Sequence, residues 1–271
     1  MSIDEVSLSQ GELYTFVTSK AGKGKKGTIV AMIAGTEANK INEVLNKLPL
    51  IKRLGVKEIT LDMARNMESA ARSSFLNARI VTDRFHVVKL VLEALQHIRI
   101  KYRWEAIDKE NEEIKKARDK KEKYQPEVFA NGDMLKQLLT RSRYLLFKHE
   151  TDWTNTQKQR ASILFSKYPL LKKAYIYATQ FRNIYENYNV DKAKKQFIEW
   201  INDIKKTELT EFNSVARSIA YHLDNILNFF KNRNTNANAE SFNSKIKLFR
   251  ANQKGVRDVP FFLFRLEKLF A

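Results

Sequence analysis

Three acids far apart in the chain, Asp4, Asp62 and Glu240, have the character needed to hold divalent cations. A two-cation phosphoryl-transfer site needs carboxylates converging from different elements, so that ions roughly 3.5–4 Å apart clamp both the attacking and the leaving oxygen. Glu240 lies in the stretch 233–247, RNTNANAESFNSKIK. At about 100° per residue on a helix, Asn236, Glu240, Asn243 and Lys247 fall in one narrow arc, while Phe242, Ile246 and Phe249 face elsewhere. Taken alone, that stripe reads as the polar outer face of a surface helix. An Asp that follows a strand, taken alone, reads as a turn or a helix cap. The acids acquire a joint meaning only if the fold brings them together.

The elements that must do so are legible in order. Residues 2–8 and 13–18 read as strands separated by a turn at 9–12, and 28–34 as a third strand. Between the last two lies the basic run 20–27, KAGKGKKG, which lacks the Lys-Ser/Thr ending of a phosphate loop and opens no helix. It reads as a basic hairpin loop, with contact to a DNA backbone as its secondary role. Thr36 then offers an N-cap to a helix over 37–48; residues 56–61 form a strand ending at Asp62; residues 66–75 form a helix; and 78–82 form a strand ending at Asp83. The order β-β-β-α-β-α-β predicts an RNase H-like mixed sheet. Right-handed crossovers place the fourth strand beside the first, so Asp4 within the first strand and Asp62 at the carboxyl end of the fourth approach each other, where open α/β sheets hold their ligands. Glu5 points to the opposite side of its strand and is left out.

Beyond residue 87 the pattern becomes helical, with charged faces and few breakers. Helices are expected at about 134–147, 156–165, 170–185, 193–204, 212–230, 238–249 and 259–270, and the Lys/Glu-rich segment 108–123 reads as a solvated helix extension. Trp104, Trp153 and Trp200 are expected in the core of this region. The fold class is therefore α/β, an RNase H-like mixed sheet interrupted by a large all-α insertion. The core's first part is residues 1–90, the insertion 91–231, and the closing helices 232–271.

Composition narrows the partner. The 271 residues carry 49 Lys and Arg against 31 Asp and Glu, a formal charge of +18, which favours a polyanion; no apolar run is long enough to span a bilayer, so nucleic acid is expected rather than membrane. There is no signal-peptide pattern at the start, which predicts a cytoplasmic protein. With no cysteine and only four scattered histidines, thiolate zinc sites are excluded and oxygen ligands remain, favouring Mg2+ or Mn2+.

Four segments together resemble the DDE transposases of bacterial insertion sequences, specifically the ISL3 branch. They are Ile3-Asp4-Glu5; Leu61-Asp62-Met63; residues 83–90, DRFHVVKL; and Thr235, Asn236 and Ala237 with Glu240, Asn243, Ile246 and Lys247. Asp83-Arg84-Phe85-His86 is the most specific, an instance of the Asp/Cys-x-x-His signature shared with the mutator and hAT transposases. The resemblance implies that Asp4, Asp62 and Glu240 are the catalytic, metal-binding triad of a two-metal Mg2+ or Mn2+ site. It leaves Asp83, Arg84, His86, Asn236, Asn243 and Lys247 as DNA-binding or site-supporting residues. His86 either contacts DNA near the scissile phosphate or fixes the start of the insertion helix.

The implied reaction is metal-dependent cleavage of transposon-end DNA followed by strand transfer into target DNA, in a homo-oligomer assembled on double-stranded DNA in the bacterial cytoplasm and nucleoid. Relatives carry a cysteine-containing zinc segment and a helix-turn-helix ahead of the first strand. This sequence shows neither, so end recognition is expected from a missing N-terminal domain or a separate polypeptide. Two other functions share the same carboxylates: an RNase H-like nuclease or resolvase without strand transfer, and a non-catalytic DNA-binding transposase remnant.

Overall fold

The structure, a computed structural model, describes residues 1–8, 12–233, 237–253 and 258–271. Its strands are β1 (Ser2–Ser7), β2 (Leu13–Thr18), β3 (Ile29–Ala34), β4 (Glu58–Leu61) and β5 (Arg79–Thr82). Its helices are α1 (Ala38–Leu45), α2 (Leu50–Leu54), α3 (Arg65–Ser74), α4 (Arg84–Asp119), α5 (Leu135–Arg141), α6 (Asn155–Lys167), α7 (Pro169–Ile184), α8 (Val190–Lys205), α9 (Thr210–Tyr221), α10 (Leu223–Leu227), α11 (Phe229–Asn232), α12 (Ala237–Asn252) and α13 (Val259–Phe270). Among the described residues no helix is long and apolar enough to cross a membrane.

The chain divides into two units, Met1–Val87 with Tyr221–Ala271, and Val88–Ala220. In the first, the strands form one mixed sheet in the order β3-β2-β1-β4-β5, antiparallel among β1, β2 and β3 and parallel from β1 through β4 to β5. Alternation along the strands gives the sheet two apolar faces. Ile3, Val17, Ile59, Leu61 and Ile80 pack with Ile41 and Leu45 of α1 and with Met67, Ala70 and Ala71 of α3. Val6, Leu8, Phe16 and Ile29 pack on the other side with Phe242 and Ile246 of α12 and with Phe262 and Leu266 of α13. Each fully buried Ile, Leu or Phe stabilises the fold by about 1.5–3 kcal/mol. A one-residue slip of β1 would turn Asp4 into the first cluster and expel Ile3, so burial on both faces specifies which side Asp4 occupies.

The sequence expectation drew the insertion at 91–231, and residues 221–231 instead lie with the sheet unit. Here His222 Nδ1 lies 3.2 Å from Glu68 Oε2 on α3, Asn225 Nδ2 donates to Glu68 Oε1 at 2.8 Å, and Asn228 Nδ2 donates to the Ile80 carbonyl at 2.9 Å. These contacts also account for a difference at 212–230, expected as one helix and found as α9, α10 and α11. Long-range polar contacts there outweigh local helical periodicity.

The second unit is helical. Phe181, Tyr185, Phe197 and Trp200 form an aromatic centre, with the Trp200 indole donating to the Tyr177 carbonyl at 2.9 Å. Asp133, fully buried, is clasped by Arg141, by Arg160 at 2.7 Å and by Asn131 at 2.8 Å. Trp104 departs from its expected core position: it is 56% exposed, with the Arg103 guanidinium 5.8 Å from its ring centre.

Candidate active site

Strand register assembles the aspartates. Ser2 pairs with Thr60 across β1 and β4, and Leu61 pairs with Thr82 across β4 and β5. The Asp83 amide extends that ladder by donating to the Leu61 carbonyl at 2.9 Å. Asp4 and Asp62 each stand two residues beyond the first pair, and Asp62 and Asp83 each stand one beyond the second. The three aspartates therefore occupy one row across three parallel strands, Asp4 within β1 and Asp62 and Asp83 just beyond the carboxyl ends of β4 and β5, with neighbouring strands about 4.8 Å apart. Ile3 belongs to one apolar cluster and Val6 to the other, so alternation turns Asp4 toward the face that α12 covers.

Helix α12 completes the group. Its apolar side, Phe242 and Ile246, is held against the sheet, and this aims the polar arc of the same helix at the end of β1. Asn243 Nδ2 donates to Asp4 Oδ2 at 2.6 Å, and the Glu5 amide donates to Asp4 Oδ1 at 2.9 Å. Burial pushes the Asp4 carboxyl above its ordinary value, and the Asp62 carboxylate adds to the rise; the Glu5 amide, His86 and Asn243 oppose it. Glu240, one turn before Asn243, is also pushed up, first by burial and then by the Asp83 carboxylate, with Asp4 contributing in the same direction and His86 against it. Buried carboxyls raised further by neighbouring carboxylates are short of positive charge.

Asp83 sits where β5 hands over to α4. Its Oδ1 accepts from the Phe85 amide at 3.3 Å, an N-capping contact. The residue is 1% exposed, and Oδ2 has no hydrogen-bond partner among the described residues. His86, in the first turn of α4, places Nε2 4.0 Å from that oxygen. Among the described residues, Asp83, His86 and Glu240 form a group whose possible ligand atoms all lie within 4.8 Å of one another. Asp4 and Asp62 adjoin this group through the register and through their charges. Asp62 Oδ1 accepts from the Ala64 amide at 2.8 Å, which ties one oxygen to the turn after β4.

The remaining expected residues divide. Arg84 opens α4 half-buried, Lys247 is exposed on α12, and Asn236 lies outside the described residues. Asn243, expected at a phosphate or supporting the site, donates to Asp4. Lys20 was not singled out by sequence. Its Nζ donates to Thr60 Oγ1 at 2.5 Å and approaches Glu58 to 4.0 Å; burial lowers its pKa, while the carboxylates of Glu58 and Asp83 oppose the shift. Strand pairing brings it there, since residue 20 follows closely on Thr18, the register partner of Ser2. The basic run itself folds into a 3-10 turn at Lys20–Gly22, with Ser19 donating to the Thr28 carbonyl at 2.8 Å and Lys245 Nζ donating to the Gly24 carbonyl at 3.4 Å.

A family model of the ISL3 type of DDE enzymes, described as Transposase, matches residues 1–266. No curated protein and no solved structure matches the chain.

Proposed function

Because the chain belongs to the ISL3 family of DDE transposases, we propose that it cleaves transposon-end DNA and joins it to target DNA by metal-dependent in-line phosphoryl transfer, on an RNase H-like core. The observation that carries this reading is the row of aspartates across β1, β4 and β5, with Glu240 presented to its end by α12. The strand order β3-β2-β1-β4-β5 is the one such a core requires.

The donor set fits divalent cations. Asp4 and Glu240 are both raised first by burial and then further by neighbouring carboxylates, and Asp83 carries a buried oxygen without a hydrogen-bond partner among the described residues. Asp4, Asp62 and Glu240 would hold the ions, Mg2+ or Mn2+. When bound, such ions neutralise charge on the scissile phosphate and lower the pKa of an attacking water or 3′-hydroxyl. The protein's own groups do the positioning. Asn243 and the Glu5 amide lock the rotamer of Asp4, the Ala64 amide orients Asp62, and the packing of Phe242 and Ile246 sets the position of Glu240. The net charge of +18 supplies sequence-independent attraction for the phosphate backbone, which positions DNA without reading it.

The test uses duplex oligonucleotides that carry the element's own end, intact and pre-nicked, with Mg2+. Wild-type protein yields a cleaved end and a strand-transfer product, and Asp62→Asn or Glu240→Gln lowers both by about a thousandfold, the scale of a lost charge-stabilising group. Equal, metal-independent product from wild type and both variants would sink the reading. Cleavage without any joined product would assign a nuclease instead.

A further inference from the structure

We propose that Asp83, His86 and Glu240 form a nitrogen-bearing cation position that selects Mn2+, or another first-row transition-metal ion, over Mg2+. The inference rests on the phosphoryl-transfer reading and deepens it: the site would hold two chemically unlike positions rather than two equivalent ones. Three independent observations support it. The register places Asp83 beside Asp62, at the end of the aspartate row. Its Oδ1 is engaged with the Phe85 amide, while its Oδ2, on a residue 1% exposed, has no hydrogen-bond partner among the described residues. The possible ligand atoms of Asp83, His86 and Glu240 already lie within 4.8 Å of one another.

A carboxyl oxygen buried without a hydrogen-bond partner is costly, and such an atom signals a missing proton donor or ion. His86 does not satisfy it directly, since its Nε2 is 4.0 Å away, beyond hydrogen-bond reach. Two ligand atoms each about 2.1 Å from one ion lie at most about 4.2 Å apart. The Asp83–His86 separation of 4.0 Å is inside that limit. The outer bound of 4.8 Å for the group exceeds it by about half an ångström, a displacement within the reach of side-chain torsions.

The donor types decide which ion. Mg2+ is small, hard and oxygen-seeking, and it keeps its waters in preference to taking an imidazole. First-row transition-metal ions accept imidazole nitrogen together with carboxylates. Asp4 and Asp62 offer only oxygen, so their position suits Mg2+ or Mn2+ equally in type. Glu240 adjoins both sets, since the carboxylates of Asp83 and Asp4 each act on it.

The experiment is Mn2+ titration of the chelator-treated full chain, read by pulsed electron paramagnetic resonance and by competition with Mg2+. The expected spectrum shows coupling from one directly bound imidazole nitrogen. His86→Gln abolishes that coupling and weakens Mn2+ binding at this position by about tenfold or more, with Mg2+ affinity changed by less than about twofold. Asp83→Asn, which keeps a helix-capping side chain, also weakens Mn2+ by about tenfold. The nitrogen signal is measured on wild-type protein and so does not depend on any variant folding. Mn2+ bound without nitrogen coupling, or bound equally well by His86→Gln, overturns the inference. If in that case DNA cleavage still requires Asp62 and Glu240, the functional reading survives and only the selective position is lost. If Asp62→Asn cleaves as wild type does and no divalent ion binds, both fall together.

Discussion

Asp83 and Asp133 are both buried aspartates, one in each unit, and their surroundings are opposite. Asp133 is surrounded by donors: Arg141, Arg160 and Asn131 satisfy both of its oxygens. Burial alone would raise its pKa, but the hydrogen bonds and charges of the two arginines outweigh burial and hold the carboxyl below its ordinary value. Asp83 has one amide on one oxygen, no hydrogen-bond partner on the other among the described residues, where His86 Nε2 stands 4.0 Å away, and the Glu240 carboxyl as a neighbour. The first arrangement minimises free energy in the protein alone. The second leaves a buried carboxyl oxygen without a hydrogen-bond partner among the described residues, which is the form stored cost takes at sites kept for function rather than stability.

The contrast is open to measurement. The largest expected effect follows from Asp133→Ala, which leaves Arg160, itself mostly buried, facing no counter-charge. Denaturant unfolding is expected to show a loss of about 3–5 kcal/mol, the usual consequence of removing one partner of a buried ion pair. Asp83→Asn comes next and is expected to leave metal-free stability within about 1 kcal/mol of wild type or to raise it, while weakening Mn2+ binding about tenfold. A cost at Asp83 equal to that at Asp133 would mean that the two sites are of one kind.

The smallest effect is in pH dependence, and its sign differs between the sites. The folded-state pKa of Asp133 is depressed below its ordinary value, so its contribution is complete above that ordinary value and is lost as pH falls through the folded pKa. Between about pH 4 and pH 2, the urea midpoint of wild type is expected to fall more steeply than that of Asp133→Asn. Asp4 and Glu240 are raised above 3.8 and 4.5. Their protonated forms are favoured on folding, so metal-free stability declines as pH rises from those values through the folded ones, and saturating Mn2+ is expected to remove part of that decline.

Much of the sheet unit was legible because its information is local. Period-two alternation in 2–8, 13–18 and 28–34 marked β1, β2 and β3, and the strand-terminal positions of Asp62 and Asp83 could be read before any pairing was known. The polar arc of α12 followed from helical spacing alone, and Phe242 and Ile246 are indeed its buried side. What local pattern could not supply was anything depending on contact across the chain. The breaks between α9, α10 and α11 arise from contacts to Glu68 and Ile80; the exposure of Trp104 depends on which helix faces are covered; and Lys20 reaches Thr60 through strand pairing.

The sequence by itself determined the types of the candidate acids, their places on strands and on one helix arc, and the chain's basic charge. Only the tertiary structure decided which acids become neighbours. Register brings Asp83 into the row with Asp4 and Asp62, and the packing of α12 sets Glu240 against Asp83 and His86. Alternation and helical period are properties of a single segment, whereas register and packing are chosen by apolar surfaces buried between segments far apart in the chain.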